Sequence, residues 1–253
     1  MEKKLPPHKS VYILPNLLTT ASLFTGFVGL LSAIGGDFVT CALCILVSCV
    51  FDGLDGKVAR LTRTTSEFGV QLDSLADLVA FGVVPATMVY LWQLESFGRL
   101  GMMAAFLFIA CGALRLARFN VQAASSSKKH FVGLPIPAGA CTLATLVLFH
   151  EYIPQSMESL LPVATLVLVY VLSFFLVSTI RFYSFKEFST FKAHPFSSMV
   201  TVILVFVLVA SRPKLLGFVF FLGYLISGPI YTLFILSRRG SRLLRDKNKE
   251  ELS

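Results

Sequence analysis

Residues 51–78 read FDGLDGKVARLTRTTSEFGVQLDSLADL, and the rest of the chain is organised around them. The stretch holds four aspartates, Asp52, Asp55, Asp73 and Asp77. Asp52 and Asp55 are three residues apart and Asp73 and Asp77 four, so each pair shares one face of a helix. Thr64 followed three residues later by Glu67 is a capping box, and a second helix is expected to open there. An antiparallel hairpin turning at Thr64 places Asp55 nine residues before the turn and Asp73 nine after it. Asp52 then lies twelve before and Asp77 thirteen after. At a rise of ~1.5 Å per residue the carboxylates meet at matching heights. Four carboxylates in one small volume stay ionised only with cations among them. Oxygen-only ligands at that density suit Mg²⁺, Mn²⁺ or Ca²⁺ rather than zinc. Gly56 and Gly69 flank the acids, where the missing side chain lets backbone and ligand approach closely.

The surroundings of this stretch are apolar. The chain is 55% hydrophobic and 14% charged, with a mean hydropathy of +0.77. Runs of roughly 20 apolar residues recur through its 253 residues, which is the length a bilayer core requires. The expected fold is therefore all-α: a polytopic membrane bundle of about eight transmembrane helices and no soluble domain. The spans are placed at 16–35, 38–62, 66–92, 97–120, 135–153, 158–180, 196–211 and 214–237. Ionisable groups inside such helices are costly and mark function by default.

Charge sets the orientation. Eight spans leave both termini on one side. Of the 22 Lys and Arg, three (Arg99, Arg212 and Lys214) fall on the other side, which leaves 19 with the termini. That asymmetry predicts cytoplasmic termini in the inner membrane and a cytoplasmic turn at Thr64. The net charge of +8 is read as attraction to membrane surface and phosphate, with no nucleic-acid partner. The basic head could pass for a signal peptide, but Asn16, Thr19 and Thr20 interrupt its apolar core. The five cysteines all fall within apolar runs and are expected to act as small buried hydrophobes. Trp92 and Tyr90 suit an interfacial belt.

The pattern Asp52-x-x-Asp55-Gly56-x-x-Ala59-Arg60, then Gly69-x-x-x-Asp73-x-x-x-Asp77, resembles the signature of the CDP-alcohol phosphotransferases at all eight fixed positions. Shorter stretches resemble the phosphatidylserine synthase branch of that family. They are Pro15-Asn16-Leu17-Leu18-Thr19, Arg115-Leu116-Ala117-Arg118-Phe119-Asn120, Gly133-Leu134-Pro135-Ile136-Pro137 and the run from Thr179 to Lys186. The resemblance covers residues 12 to 190 and implies a division into a basic segment 1–14, a catalytic core 15–190, two additional helices 191–237 and a basic tail 238–253.

It also implies a reaction. The phosphatidyl group of CDP-diacylglycerol would pass to the hydroxyl of L-serine, with CMP leaving. Two divalent ions, Mg²⁺ or Mn²⁺, would be held by Asp52, Asp55, Asp73 and Asp77, and Asp77 would also take the serine proton. Gly56, Ala59, Arg60 and Gly69 would surround the nucleotide. Arg115, Arg118, Asn120 and Asn16 would hold acceptor or phosphate; the two arginines, three residues apart, are expected to face the same way. A homodimer in the lipid bilayer is implied as well. Other acceptors, glycerol 3-phosphate or inositol phosphate, and an archaeal ether-lipid donor remain alternatives. From a different class, so does a cation or proton transporter using the same acids.

Overall fold

A computed structural model describes residues 13–62, 66–124, 133–180 and 212–250. Helix α1 runs Ile13–Ile34 and α2 runs Phe38–Thr62. Between them the chain turns at Gly36, whose φ is 81°. The Asp37 carboxylate accepts from the Thr40 amide at 3.0 Å and so caps the start of α2. α1 and α2 pack along their length as an antiparallel pair.

The third span is one rod with several textures. α3 covers Glu67–Asp77 and α4 Val84–Val89, joined by a π-helical turn at Leu78–Val83 and followed by another at Tyr90–Leu94. A 3₁₀ turn at Glu95–Phe97 ends it. The first π turn begins at the residue after Asp77; such widened turns recur at functional sites. α5 runs Arg99–Ala124, α6 Ile136–Phe149, the short α7 Gln155–Glu158 and α8 Leu161–Val177. The last helix, α9, runs Pro213–Glu250 and continues through the basic tail. No strand occurs among the described residues.

Among the described residues, five helical stretches are long and apolar enough to cross a bilayer: Leu14–Ile34, Phe38–Ala59, Glu67–Phe97, Arg99–Gln122 and Lys214–Thr232. The chain is an all-helical integral membrane protein. The expected fifth span is shorter than its sequence run: α6 has 14 residues, below the ~20 needed to cross alone. Its residues Gly139–Leu148 are all buried, so α6 is apolar on every side because protein surrounds it. The sixth span corresponds to α8, with 17 residues. The expected seventh span, 196–211, lies outside the described residues, as do Lys128, Lys129, Arg181, Lys186 and Lys192 of the charge argument.

The core lies where the third rod meets α2, α5 and α6. Phe81, Met88, Ile45, Phe108 and Leu143 are fully enclosed there. The third span is the most enclosed of the five, with half of its apolar window buried. Phe24, Phe106, Leu114 and Val167 instead point outward, as lipid-facing side chains do. Cys41, Cys111 and Cys141 are buried free thiols, in keeping with the packing role expected of them. Trp92 is half-buried and meets His150 edge to face at 5.6 Å.

Candidate metal and active site

The acid cluster forms where α2 and α3 lie side by side against α1. Asp52 and Asp55 come from the last part of α2, and Asp73 from the middle of α3. One carboxylate oxygen from each of the three lies within 4.8 Å of the others. Asp55 is buried and the other two half-buried. From α1, Thr19 Oγ1 donates to Asp55 Oδ2 at 2.8 Å.

The cluster opens into a cavity of about 450 Å³. Of the residues expected around a nucleotide, Gly56, Ala59 and Gly69 line it, and so does Asn16. Arg60 falls on α2, with its side chain outside the described set. Gly69 has a steric reason to be glycine: a Cβ there would sit 3.1 Å from Ser66 Oγ and 3.3 Å from Asn16 Oδ1. A side chain would push into the cavity wall that α1 and the start of α3 share.

The cap of α3 differs from the sequence expectation. Ser66 is the N-cap residue, and its hydroxyl accepts from the Gly69 amide at 3.0 Å. Thr64 lies outside the described residues. Both are hydroxyl residues two positions apart, and where the helix actually enters decides between them. Ser66 also lines the cavity, a role the sequence reading missed.

Asp77 adjoins the other three acids without joining their cluster. It belongs neither to the three-oxygen cluster nor to the cavity wall. Its carboxyl group is hydrogen-bonded to that of Asp52, and it interacts electrostatically with Asp73 and Asp55. It occupies a position behind the cluster, one helical turn beyond Asp73 on α3. Arg115 on α5 interacts electrostatically with Asp77.

Arg115 and Arg118 do not face alike. Arg115 is half-buried, with its Nε enclosed, and Arg118 is exposed. Three residues of helix turn through roughly 300°, which leaves the two about 60° apart. At the edge of a packed face that difference separates inside from outside. Asn120 donates from Nδ2 to Ser74 Oγ at 2.9 Å, which ties the end of α5 to the residue after Asp73. Phe119, beside it, lines the cavity. Thr19 and Phe119 appear in stretches whose resemblance was noted, yet neither was singled out. Nothing in their local pattern marks them, because each reaches the site across a helix interface.

The donor set fits a hard divalent cation. It consists of carboxylate oxygens alone, gathered from two helices, with a hydroxyl from a third orienting one of them. The described residues thus form an all-helical membrane bundle with an oxygen-donor cluster that could hold a divalent cation beside an open cavity. A model of the CDP-alcohol phosphatidyltransferase family matches residues 12–171. The chain belongs to that family of transferases.

Over 246 residues the chain is 37% identical to a Helicobacter pylori protein named CDP-diacylglycerol–serine O-phosphatidyltransferase, covering 96% of this chain and 99% of that protein. A Methanocaldococcus jannaschii protein of the same name is 47% identical over 118 residues, 46% of this chain and 55% of its own. An archaetidylserine synthase of Methanothermobacter thermautotrophicus is 37% identical over 145 residues, 56% of this chain and 61% of its own.

Proposed function

We propose that this protein transfers the phosphatidyl group of CDP-diacylglycerol to the hydroxyl of L-serine, giving phosphatidylserine and CMP. The observation that carries this reading is the likeness to the Helicobacter pylori protein of that name, which runs through 96% of the chain. The cavity supports it chemically. Its floor is a cluster of acids and its wall is thinned by glycines, which suits a diphosphate brought in with divalent cations.

Asp52, Asp55 and Asp73 would hold the ion or ions, Mg²⁺ or Mn²⁺ and two in number. When bound, such ions neutralise the diphosphate and stabilise charge on the departing CMP. The protein's own groups perform the rest. Gly56, Ala59, Arg60 and Gly69 surround the nucleotide, and Asn16 closes the wall over Gly69. The serine oxygen forms a bond to the phosphorus that bears the diacylglycerol. The bond from that phosphorus to the CMP oxygen breaks. Asp77, behind the cluster, takes the hydroxyl proton, and Arg115 holds the acceptor's carboxylate. Positioning and charge stabilisation supply most of the rate in transfers of this kind.

The charge bias of the sequence supports a cytoplasmic site in the inner membrane, with residues 15–190 as the catalytic core and a homodimer as the working unit. The test is CMP release from CDP-diacylglycerol by detergent-purified protein. Serine, glycerol 3-phosphate and inositol phosphate are offered in turn with Mg²⁺ and Mn²⁺. Serine-dependent release is expected. Release with glycerol 3-phosphate or inositol phosphate alone would reassign the acceptor, and no release under any condition would favour a transporter. The archaeal relative supports one further arm, in which an ether-linked CDP-archaeol replaces the ester donor.

A further inference from the structure

The seam between α1 and α2 carries a second set of polar contacts beside the acid cluster. Ser48 lies one turn before Asp52 on α2 and two turns before Asp55. Ser22 on α1 and Ser48 are both buried, and they bond reciprocally. Ser22 Oγ donates to the Ser48 carbonyl at 3.2 Å, and Ser48 Oγ lies 3.1 Å from the Ser22 carbonyl. Thr25 Oγ1 lies 2.6 Å from Ser48 Oγ and reaches the Ala21 and Ser22 carbonyls at 3.0 and 2.9 Å. Each hydroxyl has one proton. Either Ser48 donates to the Ser22 carbonyl and Thr25 to Ser48, or Ser48 donates to Thr25 and Thr25 to its own helix. In both arrangements the Ser48 hydroxyl is bonded to α1. Thr19, Ser22 and Thr25, three residues apart, thus form one stripe of hydroxyls along α1, and they meet Asp55 and Ser48 on α2.

Lipid tails are as apolar as leucine, so burial alone does not fix the register of two helices inside a bilayer; interhelical hydrogen bonds and close backbone approach do. The seam has both. At Gly29 a Cβ would sit 3.0 Å from Cys44 Cβ, so α1 and α2 are already in close contact there. A slide of α1 by one residue, ~1.5 Å, would break the Ser22–Ser48 pair. It would also carry Thr19, one turn from Ser22, off Asp55 Oδ2. We propose that Ser48 is a positioning residue for the acid cluster: it locks α1 on α2 in the register that brings Thr19 onto Asp55, and so sets the affinity of the cluster for a divalent cation. This rests on the metal-assisted transfer reading above. Ser48 belongs neither to the cavity wall nor to the cluster, and it acts through Thr19.

The experiment titrates Mn²⁺ into the full-length protein in detergent, with and without CDP-diacylglycerol, and reads free Mn²⁺ by electron paramagnetic resonance. CMP release at varied Mn²⁺ is the second readout. Ser48→Ala removes only the hydroxyl. Its Mn²⁺ Kd is expected to rise at least ~3-fold, less than the ~10–100-fold typical of a group bonded to the ligand itself. Its kcat at saturating Mn²⁺ should stay within about threefold of wild type, because binding is what is lost. Ser22→Ala, which breaks the same pair, should behave alike. In a Thr19→Val background Ser48→Ala should add nothing, since its effect passes through Thr19. Ser173→Ala removes an equally buried hydroxyl, one that donates to the Val169 carbonyl of its own helix at 2.7 Å, and should leave the Mn²⁺ Kd at its wild-type value.

An unchanged Mn²⁺ Kd in Ser48→Ala would overturn the proposal. So would a full additional loss in the Thr19→Val background, or an equal loss in Ser173→Ala, either of which would make Ser48 a packing group. If Ser48→Ala does not purify as folded protein, Ser22→Ala with a wild-type Kd overturns the proposal and one with a raised Kd supports it. Wild-type protein that binds no Mn²⁺ under either condition overturns it as well. Failure of the serine reading shows separately, because Mn²⁺ binding needs no acceptor. Wild-type protein that binds Mn²⁺ yet releases no CMP with serine would end that reading and leave the Kd comparison to decide this one.

Discussion

The hydroxyl of Thr19 on α1 donates to Asp55 Oδ2 on α2 at 2.8 Å, and the Pro15 carbonyl oxygen is a second acceptor 3.1 Å from the Thr19 hydroxyl. Both partners are buried. The contact occupies one lone pair of Asp55 Oδ2 and fixes the orientation of the carboxylate. Groups that orient a metal ligand in this way typically account for ~10–100-fold in metal affinity or activity. Thr19→Val keeps the shape and loses the donor. It is expected to raise the Mn²⁺ concentration for half-maximal CMP release by about tenfold or more, with the protein still folded. An unchanged Mn²⁺ dependence would mean that Thr19 serves packing alone.

Removal of divalent cations should silence the protein. Three carboxylates within 4.8 Å repel one another without a cation between them. Excess EDTA is expected to abolish CMP release, and Mg²⁺ or Mn²⁺ to restore it. Asp73→Asn should lose activity and also the metal-dependent rise in melting temperature with CDP-diacylglycerol. Full turnover in excess chelator would remove the cations from the reaction.

Asp77 is predicted to separate proton transfer from metal binding. A general base is worth ~10²–10⁴ in rate. Asp77→Asn should therefore lower kcat at least ~10²-fold while CDP-diacylglycerol still binds. Because Asp77 stands outside the three-oxygen cluster, the Mn²⁺ dependence should move less than in Asp73→Asn. A kcat within a few-fold of wild type would shift the proton to another acceptor.

Gly133 offers a test of the fold away from the site. Its φ is 89°, and a Cβ there would meet the Leu176 carbonyl oxygen at 2.8 Å. Its amide donates to the Ile180 carbonyl at 2.9 Å, and the Leu134 amide to Phe175 at 3.0 Å, so the entry to α6 is stitched to the end of α8. Left-handed backbone alone costs an alanine ~1–2 kcal/mol, and the clash adds to it. Gly133→Ala should lower the melting temperature in detergent by several degrees without changing the serine KM of the remaining folded protein. A melting curve identical to wild type would show that the entry relaxes freely.

Much of this protein is written in local pattern. The ends of α1, α2 and α5 fall within a few residues of where hydropathy places them, because each is a long apolar run closed by a polar turn. The meeting of Asp52, Asp55 and Asp73 follows from helical spacing and the shared height of a hairpin. What the sequence does not carry is the lateral arrangement of the helices. In a bilayer an apolar helix face looks the same whether it meets lipid or another helix, so hydropathy cannot say that α6 is enclosed or that α9 lies against it. The contact of Thr19 with Asp55 and the divergence of Arg115 from Arg118 both depend on that arrangement. Spacing along α2 and α3 and the height they share across a hairpin determined which acids come together; packing between helices decided which hydroxyl reaches them.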